Sequence, residues 1–361
     1  MPENVYRRLQ QALNSHPVGF RASETGADIQ LLKHIFTPEQ AEIVSRLDWH
    51  FQSTETIYEK VSDIVSTQEE LSLILHKILR RGGLMYRRRE QEMWALAPLV
   101  VGMYEYQVDR LTPEMLVDAE EYWQSPKSDP PAPKRPGQMR VIPIGKSITQ
   151  EHHVARFEDI AHMVDSAGES IALIECICRK TAAMEGHSCE RTSRAESCMG
   201  FRDFAEQYIE QGTGRRISRE EAYEALRKSQ EEGLVLMPSN SQSAEFVCSC
   251  CPDCCGMLRG IKYADVPADI ALNNYQACVD SDLCIACNEC VEICPMDAVR
   301  IQDIVAVIDL KRCIGCGVCV VRCAPEAIRL ERKTDTVTPP DTMDDLYTLY
   351  DSLRQAENKG N

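Results

Sequence analysis

Two cysteine runs near the C-terminal end restrict this chain more than anything else in it. Cys284, Cys287, Cys290 and Cys294 follow the spacing C-x2-C-x2-C-x3-C, and Cys313, Cys316, Cys319 and Cys323 repeat it 29 residues later. The flanks repeat as well. Cys294-Pro295-Met296-Asp297-Ala298-Val299-Arg300-Ile301 aligns with Cys323-Ala324-Pro325-Glu326-Ala327-Ile328-Arg329-Leu330. A duplication of this size is a repeated supersecondary unit, here strand, loop, short helix, strand. Residues 304–310 (IVAVIDL) supply a strand between the two loops. Thiolates wrapped closely on a loop are soft metal ligands. Two runs of four do not fit the two pairs of ligands that a zinc ribbon uses, so zinc is the weaker reading.

Over about residues 278–333 the segment resembles the two-[4Fe–4S] bacterial-type ferredoxins, with eight cysteines in register. The resemblance implies two [4Fe–4S] clusters, the fourth thiol of each run crossing to the other cube. Cys284, Cys287, Cys290 and Cys323 then hold cluster 1. Cys313, Cys316, Cys319 and Cys294 hold cluster 2. It also implies one-electron transfer, with loop N–H groups at 284–290 and 313–319 directed at sulfur and with Gly315 and Gly317 permitting close approach. Ala324 departs from the Pro that follows Cys294, and Pro325 turns the chain one place later.

The 361 residues, 43% hydrophobic, suffice for two or three domains. A net charge of −16 argues against broad nucleic-acid affinity and fits a basic partner. The opening MPENVYRRLQQALNSH lacks the apolar core of a signal peptide. The best apolar run, 93–104 (MWALAPLVVGMY), is too short to span a bilayer and is broken by Pro98. Eighteen cysteines without an export signal are expected to be reduced, in the cytoplasm, and to serve metals rather than disulfides.

Residues 1–123 contain no cysteine and read as mostly helical. Thr37-Pro38-Glu39-Gln40 and Thr67-Gln68-Glu69-Glu70 are capping boxes. The second opens a helix with Leu71, Leu75 and Ile78 on its apolar face, stopped at Gly82-Gly83. A helix over 55–65 precedes it, and a hairpin over 84–89 and 92–96 follows. That order is winged-helix-like. DNA binding through Arg80, Arg81, Arg87, Arg88 and Arg89 is one reading; docking to protein is favoured by the acidity of the whole. Residues 124–140, with five prolines, read as an extended linker.

Beyond the linker, 141–144 reads as a short strand, 156–164 as a helix, and 170–177 (SIALIECI) as a buried strand. Ser218-Arg219-Glu220-Glu221 caps another helix, and 234–236 and 245–247 are strands. Gly212-Thr213-Gly214 lacks the remainder of a phosphate loop and reads as a helix-capping turn. Cys176 and Cys178 end the buried strand; Cys189 and Cys198 are placed on a loop; Cys248, Cys250, Cys251, Cys254 and Cys255 form a dense run. Nine thiols at this density would oxidise or scavenge metal if free. They are read as a metal site, one or two further Fe–S clusters rather than zinc, and spacing does not partition them. Cys254-Cys255-Gly256 is similar to the CCG element of heterodisulfide reductase subunits, but those have two such elements and this chain has one. The whole layout, with Cys176-Ile177-Cys178-Arg179, the 248–255 run and the ferredoxin segment, resembles a family of cytoplasmic iron–sulfur proteins of anaerobes. Cys278 reads as a structural thiol, His187 as a solvated loop histidine, and His152-His153 lack partners at metal spacing.

The expected architecture is α+β and multidomain. It comprises a helical winged-helix-like domain (1–123), a linker (124–140), a Cys-rich α/β domain (141–265), a ferredoxin-like dicluster domain (266–333) and a polar tail with a short helix (334–361). The favoured function is an electron-transfer protein serving a redox partner or oxidoreductase complex, rather than a stand-alone enzyme. The alternatives are a redox-sensing DNA-binding regulator and a reductase with an open cluster position in the middle domain. No catalytic residue is assigned.

Overall fold

Several helices begin where the sequence offers a side chain to cap them. In the computed structural model, which describes residues 2–126, 136–144 and 155–360, Thr37 accepts from the Gln40 N–H while Gln40 Oε1 accepts from the Thr37 N–H. Thr67 and Ser218 cap their helices by accepting from the Glu70 and Glu221 N–H groups. Residues 127–135 of the expected linker, and His152-His153, lie outside the described residues.

The chain divides into two compact units. One joins residues 1–135 to 206–215 and 347–361; the other joins 136–205 to 216–346. The first contains α1 (Pro2–Ser15), α2 (Ala27–Ile35), α3 (Pro38–Val44), β1 (Gln52–Ser53), α4 (Thr54–Val61), α5 (Gln68–Arg80), β2 (Leu84–Arg88), β3 (Glu92–Leu96) and α6 (Pro113–Gln124). Its sheet runs β1-β3-β2, antiparallel throughout. Leu71, Leu75, Ile78 and Leu79 are buried on α5. The helix stops at Gly82, φ +76, and a Cβ at Gly83 would stand 2.4 Å from the Phe36 ring. Gln207 closes the open edge of β2, accepting from the Tyr86 N–H at 3.0 Å and donating to the Leu84 carbonyl at 3.2 Å.

After α6 the chain forms α7 (Ile160–Ser166), β4 (Ile171–Glu175), α8 (Ile177–Met184) and β5 (Glu196–Phe201) in the second unit, then α9 (Asp203–Gln211) and β6 (Gly214–Arg216), whose residues 206–215 count with the first, and then α10 (Arg219–Glu231), β7 (Val235–Pro238) and β8 (Phe246–Cys250) in the second. After these come α11 (Gly256–Lys262), α12 (Pro267–Ile270), β9 (Tyr275–Val279), α13 (Glu289–Ile293), β10 (Val299–Gln302), β11 (Val305–Ile308), α14 (Val318–Arg322) and β12 (Ile328–Arg332); α15 (Met343–Gly360) counts with the first unit from Tyr347 onward. A five-stranded sheet has the order β6-β4-β5-β8-β7. Its pairs β4·β5, β5·β8 and β7·β8 are antiparallel, which corrects the expected α/β middle region to α+β. Two ribbons, β10·β11 and β9·β12, frame the cysteine loops.

Three local expectations change. Cys198 lies on β5, paired across to Ile174, not on a loop. The 156–164 helix breaks at Asp159, whose carboxylate caps α7 through the Ala161 N–H. Residues 140–144 are extended but belong to no single ladder. Arg140, Val141, Ile142 and Ile144 donate N–H bonds to the carbonyls of Pro238, Leu272, Leu236 and Cys316. This buried segment therefore fastens β7 to the second cysteine loop. Gly212, φ +77, ends α9, and the Thr213 N–H returns to the Tyr208 carbonyl, a helix-capping turn. No helix among the described residues is long and apolar enough to cross a membrane.

Candidate metal centres

The duplication in the sequence is also a duplication of backbone conformation. Ala286, Asn288 and Asp297 have positive φ, as do Gly315, Gly317 and Glu326, each 29 residues further on. Positive φ turns each loop tightly enough for its thiols to face inward. At Gly315 the crowding is extreme: a Cβ there would stand 2.2 Å from the Tyr275 carbonyl oxygen. Asn288 and Gly317 then start the short helices α13 and α14.

Each pair of loop and distant cysteine lines a cavity. Cys313, Cys316 and Cys319 share one with Cys294, together with Ala277, Met296, Ala298, Ile314 and Leu330, in about 360 Å3 of empty space. Cys284, Cys287 and Cys290 share the other with Cys323, together with Ile301, Ala306, Ala327 and Ile328, in about 310 Å3. The fourth cysteine of each run thus lines the cavity of the other run. Backbone N–H groups reach the sulfurs from the flanking chain: Ala277 to Cys313 at 3.4 Å, Ala298 to Cys294 at 3.3 Å and Ala306 to Cys284 at 3.4 Å. Ala277 and Ala306 lie on the ribbons and Ala298 just before β10, and from within the loops the Val318 N–H acts on Cys316 and the Cys290 N–H on its own sulfur. Burial pushes the Cys290, Cys294, Cys316 and Cys319 thiols up, so metal must displace their protons for them to become ligands. Four thiols, apolar walls and inward N–H donors suit a sulfide-bridged iron cube.

The nine middle cysteines separate into two sets. Six are neighbours in a closed order, Cys176, Cys178, Cys255, Cys250, Cys248, Cys198 and back to Cys176, each thiol acting on the titration of the next. The six meet because the end of β4, the start of β5 and the end of β8 lie side by side and the 251–255 turn folds Cys255 back. Hydrogen bonds from Cys198 and Cys250 lower the Cys248 thiol to about 6. Those from Cys178 and Cys250 lower Cys255 well below its usual range. The other three, Cys189, Cys251 and Cys254, gather with Asp253 so that the four ligand atoms lie within 4.8 Å of one another. Arg179 stands between the sets. Its guanidinium donates to Ser197 Oγ at 2.6 Å, to the Ser249 carbonyl at 2.6 Å and to the Arg194 carbonyl at 3.1 Å, and its charge acts on Cys176, Cys198 and Cys251.

Asp253 and Arg179 are the residues that sequence reasoning left without a role. Their signal was position alone, one inside the 248–255 run and one directly after Cys178. His187, expected to be a solvated loop residue, is half-exposed, with Nε2 3.6 Å from Asp253 Oδ2. Cys278 sits on β9 outside both loop cavities and donates to the Arg329 carbonyl.

Residues 276–324 match the 4Fe-4S dicluster domain family. A stretch of 33 residues is 48% identical to Ferredoxin-2 of Desulfomicrobium norvegicum (strain DSM 1741 / NCIMB 8310), covering 9% of this chain and 56% of that ferredoxin. The chain thus spans little more than half the length of the curated relative it matches. With the duplicated loops and their thiol-lined cavities, these matches make residues 276–324 a ferredoxin-like 4Fe–4S dicluster domain, with capacity for iron–sulfur electron transfer.

Proposed function

We propose that this protein is a one-electron carrier with two [4Fe–4S] clusters, acting as a redox subunit or partner of an oxidoreductase. Cys284, Cys287, Cys290 and Cys323 hold one cluster; Cys313, Cys316, Cys319 and Cys294 hold the other. The observation behind this reading is the crossed lining of the two cavities, each by three thiols of one run and the fourth of the other. A bound cube supplies one-electron chemistry at nearly fixed geometry. The chain's own groups set the terms. Ala277, Ala298 and Ala306 aim N–H dipoles at ligand sulfurs, which favours the added negative charge. Ile314, Leu330, Ile301 and Ile328 keep the cavity walls apolar. The six neighbouring thiols include enough for the four ligands of a cube, and a further iron–sulfur cluster beside the dicluster domain is part of this proposal. Iron and sulfide quantitation on anaerobically purified protein tests the reading. About eight of each fits the dicluster domain alone, more adds the cluster of the six thiols, and colourless protein without iron overturns both.

The N-terminal unit is a winged helix in the order α3, β1, α4, α5, β2, β3, and it docks protein rather than DNA. Arg81, one of the arginines expected on phosphate, donates instead to the Ile35 and His34 carbonyls. The Arg87 guanidinium lies over the Phe51 ring at 3.9 Å. A gel-shift assay should show no retardation in either oxidation state; a salt-sensitive shift would establish the DNA-binding alternative.

A further inference from the structure

We infer that Cys189, Cys251, Cys254 and Asp253 bind one tetrahedral divalent ion, zinc, in a three-sulfur, one-oxygen site separate from the iron–sulfur centres. The spacing distinguishes an ion from a cube. Around one zinc, with Zn–S about 2.3 Å and Zn–O about 2.0–2.2 Å, tetrahedral neighbours stand about 3.6–3.8 Å apart. Here Cys189 Sγ is 3.8 Å from Asp253 Oδ1, Cys254 Sγ is 3.4 Å from Asp253 Oδ2, and all four ligand atoms lie within 4.8 Å. Cysteines on a cube bind four different irons at its outer corners, so their sulfurs stand farther apart. Among the described residues, neither thiol set of the dicluster domain converges as this group does.

The local fold builds the site. The 251–255 turn makes one helical turn, with the Cys255 N–H on the Cys251 carbonyl, so Cys251 and Cys254 share a face. Asp253 is oriented by the Glu190 N–H, which donates to Oδ2 at 2.8 Å, and by His187 beside the same oxygen. Such outer partners are what a ligating carboxylate needs to keep its direction. Cys251 and Cys254 are buried against Leu234 and Ala182. Arg191, from the Cys189 loop, donates to the Glu292 carbonyl on α13. The next glycine down the chain from α10, Gly233, is so close to α13 that a Cβ would stand 2.7 Å from Ile293 Cδ1. An ion here pins the loop around Cys189 to the 251–255 turn at the place where the sheet domain meets the dicluster domain.

The test measures zinc, iron and sulfide together in full-length protein purified without oxygen. Wild type should contain about one zinc per chain. Cys189→Ser and Asp253→Ala should lower zinc at least fivefold and leave iron and sulfide unchanged, while Asp253→Cys should retain it. Cobalt(II) exchanged into the site should show tetrahedral thiolate absorption that Cys189→Ser abolishes. If the variants do not fold, titration of wild type with an organomercurial serves instead, and zinc release as thiols are consumed supports the site. Absence of zinc from wild type, or variants that lose iron and sulfide in equal amounts, would overturn the inference, the latter by identifying a cube.

Discussion

Gly315→Ala separates the two halves of the duplicated cluster module. The added Cβ would stand 2.2 Å from the Tyr275 carbonyl oxygen and 2.8 Å from Asn273 Oδ1, at φ +64. A left-handed non-glycine residue costs about 1–2 kcal/mol, and forcing a methyl into packed surroundings adds about 1–3 kcal/mol. The total is about 2–5 kcal/mol. For a unit of roughly 200 residues that lowers the melting temperature by about 4–20 °C. The repeat-related position provides the control. Ala286 already adopts φ +54 with its methyl in place, so Ala286→Gly should change stability by no more than about 1 kcal/mol. Anaerobic thermal unfolding, with iron and sulfide counted on the same samples, reads both variants. Gly315→Ala should also lose iron from the cavity of Cys294, Cys313, Cys316 and Cys319 and retain it in the other. A Gly315→Ala protein that melts within about 2 °C of wild type and holds full iron would refute the reasoning.

The crossed ligands make a second prediction. Cys294→Ser should reproduce the spectrum and potential change of Cys313→Ser, and Cys323→Ser that of Cys284→Ser; pairing by run instead of by cavity would break the assignment. Gln207→Leu leaves the Tyr86 N–H and the Leu84 carbonyl without their partner and should cost about 1–3 kcal/mol in urea unfolding. Burial, then the nearby Glu92 carboxylate, pushes the Tyr86 phenol up to about 12. A phenol raised in the fold stabilises it fully below its unfolded value of about 10 and loses that contribution as pH rises through about 12. Tyr86→Phe should therefore weaken the decline in stability between pH 10 and 12, and denaturant midpoints at three pH values would show it.

Features that depend on a few neighbouring residues were readable in advance. The capping box at Thr37, the Thr67 side-chain cap (whose Glu70 carboxylate accepts from the Ser66 N–H rather than closing the expected box on Thr67) and the hairpin that became β2 and β3 are examples, because a cap or a turn is decided within four residues. The cysteine loops were readable for the same reason, their spacing being their geometry. The partition of the middle thiols was not. Cys198 reaches Cys248 only because β5 lies beside β8, and Cys255 reaches Cys178 only after the 251–255 turn reverses the chain. Asp253 gave no pattern of its own, since one carboxylate beside a cysteine run is ordinary until the loop around Cys189 arrives against it. The helix break at Asp159 was hidden by apolar periodicity that continues across it.

The unit formed by residues 1–135, 206–215 and 347–361 is completed late. Arg354 donates to the carbonyls of Ser15 and His16, 339 and 338 positions earlier, and the Tyr347 ring meets His16 edge-on at 5.2 Å. A ribosome making this polypeptide exposes α1 long before its partners on α15 emerge. The cysteine-bearing region is synthesised in the interval, so the amino-terminal body cannot close before every cysteine of the chain has been made, and a nascent chain halted before α15 would carry all the thiols with that body still open.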